Sequence, residues 1–216
     1  MVLSEVRQFF RLRFTKQGDV RFISHHDLMR LFARALRRAR LPVAMSRGFN
    51  PRPQISLPAA LGVGIEGRNE VLDFELDEWT NPDEVGVRLD AELPDGIRLT
   101  SLQNVPAKQD RRPKHLSYCV PLLEGHPVTR EAIERVMAAR ELIVERDRGG
   151  KSKTVDIRPF IGQVRLRGGE LLVLLNCTAE GTARLEEVLA ALGCRAGLHY
   201  EKSALVRTHV NLSASP

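Results

Sequence analysis

The residues with the most chemical potential lie between positions 21 and 54. His25 and His26 stand side by side at a helix start. Adjacent helical side chains diverge by about 100°, so the two cannot converge on one metal from a regular helix, although either can act as general acid or base beside a phosphodiester. The plainer role for His25 is a packed helix-start residue, and Asp27 is better suited to capping than to catalysis. Arg30, Arg34, Arg37 and Arg38 recur at helical spacing, opposite Leu28, Phe32, Ala35, Leu36 and Ala39. Like charges so placed repel by about 0.2–0.5 kcal/mol per pair, and a bound polyanion would relieve that cost. Arg47 and Arg52 extend the basic surface, and Phe49 between them offers a ring on which an unpaired base can stack. Lys151, Lys153 and Arg158 are further candidate phosphate contacts. The plain alternative is a solvated face whose arginine stems cover the edge of the core.

Two tempting motifs fail on context. Gly62-Val63-Gly64-Ile65-Glu66-Gly67 has dinucleotide-binding spacing, but alternating strand residues follow it where that motif needs a helix N-terminus. Gly150-Lys151-Ser152 has the end of a P-loop without the glycine five residues earlier, a position held by Glu145. His115, His126, His199 and His209 show no ligand spacing, so no metal site is expected.

Composition narrows the classes. The chain has 216 residues, 43% hydrophobic and 28% charged, enough apolar material for a core and therefore not a disordered chain. No run approaches the ~18 apolar residues of a membrane helix. Residues 1–14 mix arginines into their apolar run, unlike a secretory signal. Cys119, Cys177 and Cys194 lie far apart, which points to a reducing, cytoplasmic location. Charge is uneven: residues 1–60 carry 12 Lys/Arg against 3 Asp/Glu, and residues 61–105 carry 3 against 11. Of the 33 basic residues 27 are arginine, the side chain that grips phosphate with a planar fork.

The elements that position these residues read as follows. Phe10, Leu12 and Phe14 alternate with Arg11 and Arg13 in a half-buried strand. Gln17-Gly18-Asp19 reads as a turn, with residues 20–23 extended. A helix is predicted over 24–40, capped by Ser24 with Asp27 in the capping-box position and closed by Pro42. The Pro/Gly-dense segment 41–67 reads as loop with a short strand near 54–57. A strand over 69–77, a helix opened by Asn81-Pro82 and a strand over 97–105 complete β-α-β-β-α-β. After a polar linker, 106–114, the pattern recurs: strand 115–123, helix 129–140, strand 141–146, a charged glycine loop 147–153, extended segments 154–161 and 163–167, strand 170–177, helix 182–192 and strand 203–212. The expected fold is α+β, two tandem ferredoxin-like (βαββαβ) halves over 1–105 and 115–216.

The run Arg21-Phe22-Ile23-Ser24-His25-His26-Asp27-Leu28-Met29-Arg30 and the segment Ser46-Arg47-Gly48-Phe49-Asn50-Pro51-Arg52-Pro53-Gln54 are distinctive, as are Leu61-Gly62-Val63-Gly64 and Val155-Asp156-Ile157-Arg158-Pro159-Phe160. Together they resemble the radical SAM-linked family, a domain of unknown function found alone or fused after B12-binding radical SAM enzymes, over about residues 7–210. His26 stands where that family has an apolar residue. Arg52 stands where it often has histidine, so no histidine chemistry carries over to position 52. The resemblance implies a radical SAM partner. This chain has no C-x-x-x-C-x-x-C to hold a [4Fe–4S] cluster, so SAM and cluster would sit on the partner and no cofactor on this chain.

Three functions compete. The first is an accessory or substrate-recognition module of a radical SAM system that binds RNA (tRNA or rRNA) through a basic groove. The second is a protein-interaction adaptor without nucleic acid. The third is a metal-independent endoribonuclease using His25 or His26, suggested by the similarity of the tandem architecture to that of CRISPR RNA-processing endonucleases.

Overall fold

The computed structural model describes residues 7–212 apart from Lys108, and the side chains of its helices and strands apart from Arg148 and Lys151. The chain is α+β and forms two compact units that divide between Arg112 and Pro113, inside the polar stretch 106–114.

Unit 1 runs β1 (Gln8–Lys16), a 3-10 turn (Gly18–Phe22), α1 (His25–Arg38), β2 (Ile55–Ser56), β3 (Glu66–Leu76), α2 (Pro82–Asp90) and β4 (Ile97–Asn104). Its strands pair antiparallel in the order β4-β1-β3-β2. The period-two pattern of β1 puts Phe10, Leu12 and Phe14 into a core with Leu28, Phe32, Ala35 and Leu36 of α1 and Val85 and Leu89 of α2. Phe10 stacks on Phe74 at 5.3 Å, and Phe14 meets Phe32 edge-on at 4.8 Å. Of residues 20–23, predicted to be extended, only Ile23 is, and 20–22 lie in the 3-10 turn. Ile23 N–H reaches back to Val20 O, and Gly18 at φ 62 starts a helical turn instead.

The uneven charge is largely reconciled inside this unit. The Arg11 guanidinium donates to both oxygens of Asp73 at 2.8 and 2.9 Å, with both side chains buried. Arg7 pairs with Glu75 at 2.6 Å, Arg21 with Glu66 at 3.3 Å and Arg38 with Glu92 at 2.7 Å. The basic stretch 1–60 and the acidic stretch 61–105 therefore neutralise each other in part, which shrinks the basic surface that net charge suggests.

Unit 2 runs β5 (His115–Pro121), α3 (Arg130–Ala138), β6 (Ile143–Arg148), β7 (Lys151–Asp156), a 3-10 turn (Arg158–Phe160), β8 (Ile161–Arg167), β9 (Glu170–Asn176), α4 (Leu185–Ala191) and β10 (Val206–Asn211). Its main strands pair antiparallel in the order β10-β5-β9-β8, while β6 and β7 form a hairpin of their own. The glycine loop predicted over 147–153 is shorter than that. Gly149 and Gly150, at φ 62 and 78, make a two-residue hairpin turn, and Lys151 to Lys153 belong to β7. Among the described residues no helix is long and apolar enough to cross a membrane.

Candidate nucleic-acid interface

Helix α1 is fixed firmly at both ends. At its start Ser24 Oγ accepts from Asp27 N–H at 3.2 Å and donates to Asp27 Oδ2 at 2.7 Å. That hydroxyl, assisted by Arg30, holds the Asp27 carboxyl below the usual aspartate range. Asp27 is therefore a cap. Ahead of it the buried Lys16 ammonium donates to Arg21 O at 3.1 Å and Ile23 O at 3.0 Å, securing the turn that feeds the helix. At the far end the helix stops two residues short of the predicted Arg40. Leu41 N–H bonds Leu36 O and Arg40 N–H bonds Arg37 O, with Arg40 at φ 51. This is a Schellman ending built on arginine in place of glycine. The Arg88 guanidinium clamps it by donating to Ala39 O at 2.9 Å and to Arg40 O.

The predicted apolar face of α1 is buried, and the arginine stripe divides by environment. Arg38 is tied to Glu92, side chain to side chain at 2.7 Å and also to the Glu92 backbone carbonyl. Arg30 makes a loose, exposed pair with Asp27 at 3.3 Å. The side chains of Arg34 and Arg37 make no ion pair or hydrogen bond among the described residues and are exposed. They line a cleft of about 450 Å³ whose other walls are Ala33, Leu41, Val43, Met45, Pro51 and Pro53. Two of the four stripe arginines thus converge with the proline segment. Arg38 does not line this cleft.

The proline segment is an arm. Met45 bridges Pro53, Ser46 N–H donates to Arg52 O at 2.8 Å, and Arg52 N–H donates to Ser46 Oγ at 2.9 Å. Its base is tied to β3 through Ala44 N–H to Glu75 O at 2.8 Å and Glu75 N–H to Gln54 O at 3.1 Å. The tip carries Arg47, Gly48 and Phe49. Gly48 takes φ 143, and Phe49 is 107% exposed. Phe49 is therefore not a packing anchor under the loop. A fully exposed phenyl ring gains nothing for folding and is well placed to stack. Arg47 and Arg52 are exposed beside it.

His25 is half-buried and His26 exposed, their rings 5.8 Å apart and inclined by 70°. On a 100° wheel His26 lies on the side of Arg30 and Arg37, and His25 does not. Among the described residues no group of three His, Cys, Asp or Glu could hold a metal ion.

The remaining candidates belong to unit 2. Arg158 is consumed structurally: its guanidinium donates to Met137 O at 3.1 Å and to Ile161 O at 2.9 Å, closing the C-terminal turn of α3. In this position it staples the two backbone segments. Lys153 is exposed on the hairpin strand β7 opposite Arg146, which is itself bound by Glu187 through two bonds of 2.7 Å. The Lys151 side chain lies outside the described residues. The sequence reading missed Met45, Pro51 and Pro53 as cleft walls. Their signal was present in the Pro-x-Pro spacing, since two prolines that cannot donate to a ladder mark an edge-like arm.

The model of a family described as an uncharacterized protein conserved in bacteria (DUF2344) matches residues 10–186. No curated protein matches the sequence. The crystal structure of an unknown protein from Galdieria sulphuraria is similar at 16% identity, covering 87% of this chain and 91% of that one, with a TM-score of 0.30, too low to establish a shared fold.

Proposed function

The chain belongs to the DUF2344 family of uncharacterized proteins conserved in bacteria, and we propose that its unit 1 binds single-stranded RNA as the substrate-recognition part of a radical SAM system. The observation that carries the reading is the cleft in which Arg34 and Arg37, whose side chains have no partner among the described residues, face the proline arm, with Phe49 bare at the arm's tip. Arginines supply non-specific phosphate affinity, and an exposed ring supplies stacking that only an unpaired base can accept. A duplex hides its base faces, so the combination favours single strands. The partner, SAM and a [4Fe–4S] cluster enter through the resemblance of the Arg21–Arg30 and Ser46–Gln54 runs to radical SAM-linked proteins. In this reading the cofactors sit on the partner protein.

We read both units as ferredoxin-like. What supports this is the strand order, fourth-first-third-second in unit 1 and the same in unit 2 once the β6–β7 hairpin is set aside. The endoribonuclease alternative is weaker, because only His26 shares the arginine face and Asp27 is spent as a cap.

Fluorescence anisotropy with labelled single-stranded and duplex RNA at about 50 mM salt tests the proposal. The expected result is tighter binding of the single strand, lost on Phe49→Ala combined with Arg34→Ala and Arg37→Ala. If neither RNA binds, the adaptor reading replaces this one.

A further inference from the structure

A second cleft in unit 1, of about 650 Å³, meets the first at Leu41. Its walls include Arg40, Glu78, Trp79, Glu84 and Arg88. Trp79 is the chain's single tryptophan and is 68% exposed. Arg88 is spent on the carbonyls that close α1. Arg40 is exposed, makes no side-chain bond among the described residues, and holds φ 51, the one positive φ of a non-glycine residue there. Glycine or asparagine relieves that conformation, so arginine stands at a position where the backbone disfavours it.

Phosphate alone does not suit this cleft, because Glu78 and Glu84 would repel it. The carboxylates accept hydrogen bonds and cannot donate, so the ligand must present N–H groups to them. The indole face asks for a flat ring, and Arg40 asks for one anionic group. Among nucleobases guanine alone offers two adjacent donors, N1–H and N2–H, to a single carboxylate. Adenine and cytosine offer one amino group, and uracil one imino group between carbonyls.

We infer that the Trp79 cleft is a guanine-nucleotide subsite: the base stacks on Trp79, its N1–H and N2–H edge meets Glu78 or Glu84, and its phosphate meets Arg40. The subsite rests on the reading of unit 1 as a single-strand RNA binder and adds base preference to it. Because Leu41 borders both clefts, one strand can lie along Arg34 and Arg37 and place its next base at Trp79.

The test uses the full chain and three eight-nucleotide RNAs: oligo-U, oligo-U with one central guanosine, and oligo-U with one central adenosine. Affinity is read by anisotropy, and Trp79 emission reports the subsite directly. The guanosine oligomer binds about tenfold tighter than the other two and quenches Trp79, as a bidentate base contact predicts. Glu78→Gln with Glu84→Gln abolishes the preference and leaves oligo-U binding in place. Arg40→Gly lowers affinity for the guanosine oligomer while its thermal midpoint stays equal or rises, which separates a ligand contact from a folding role. Equal binding of the three oligomers with unchanged emission overturns the subsite and leaves the RNA-binding proposal standing. A guanosine preference that survives Trp79→Ala and the double glutamine variant also overturns it. If no oligomer binds, both fall.

Discussion

Removing Arg34 and Arg37 together should change the salt dependence of RNA binding by a calculable amount. Each phosphate contact on a single strand contributes about −0.7 to the slope of log K against log salt. Of the exposed arginines along α1 and the arm, Arg38 is held by Glu92, and Arg30, Arg34, Arg37, Arg47 and Arg52 are the proposed phosphate contacts. Five contacts give a slope of about −3.5, and the double variant about −2.1. Between 50 and 200 mM salt the wild type then loses roughly 100-fold in affinity and the double variant roughly 20-fold. Anisotropy titrations at four salt concentrations measure both slopes. Arg38→Ala is the internal control. Its guanidinium is held by Glu92, so its slope should match that of the wild type, with a small loss of stability typical of a half-exposed pair, about 0.2–1 kcal/mol. The reasoning is refuted if the double variant keeps the wild-type slope, or if Arg38→Ala flattens it as much.

Three further outcomes are expected. Phe49→Ala should weaken RNA binding about tenfold and leave the thermal midpoint unchanged, whereas Phe32→Ala in the core should cost about 3–5 kcal/mol by denaturant unfolding. Arg158→Ala should destabilise unit 2 by about 1–3 kcal/mol, since it orphans the carbonyls of Met137 and Ile161, and should leave RNA affinity alone. Acid should destabilise the fold. The backbone N–H groups of Leu142 and Arg158 hold Asp156 below 3.8, and although burial pushes Glu187 up, the bonds from Arg146 and Arg184 outweigh it and hold it below 4.5. Lowered folded values mean stability that is complete above the unfolded values and disappears as pH falls through the folded ones. The midpoint should therefore be flat above about pH 5, fall below about pH 4, and fall less steeply in Asp156→Asn. A midpoint that rises on acidification would contradict this.

What was legible in the sequence was local. The faces of α1 follow from the 3.6-residue period, and Ser24 and Asn81 cap the helices they precede, each accepting from a backbone N–H. The strand alternation of β1 was visible, but the fate of Arg11 was not. It depends on the register that sets Arg11 opposite Asp73, 62 residues away, and long-range register cannot be read from neighbours. The same holds for Arg38 with Glu92 and for Arg158 with Met137. Net charge counted such arginines as surface when their partners lie elsewhere in the chain. Gly18 was read as a simple turn and the Gly149–Gly150 pair as part of a longer loop, because glycine marks a bend without saying how tight it is. The position of the Phe49 ring, free or packed, depended on whether the arm lies down on the unit or stands off it, which no local pattern encodes.

Photo-crosslinking addresses the central claim most directly. A 4-thiouridine oligomer irradiated with the full chain and mapped by mass spectrometry should mark residues 45–53, Phe49 above all, and α1 near Arg34 and Arg37. Crosslinks confined to unit 2, or spread evenly over both units, would contradict the account.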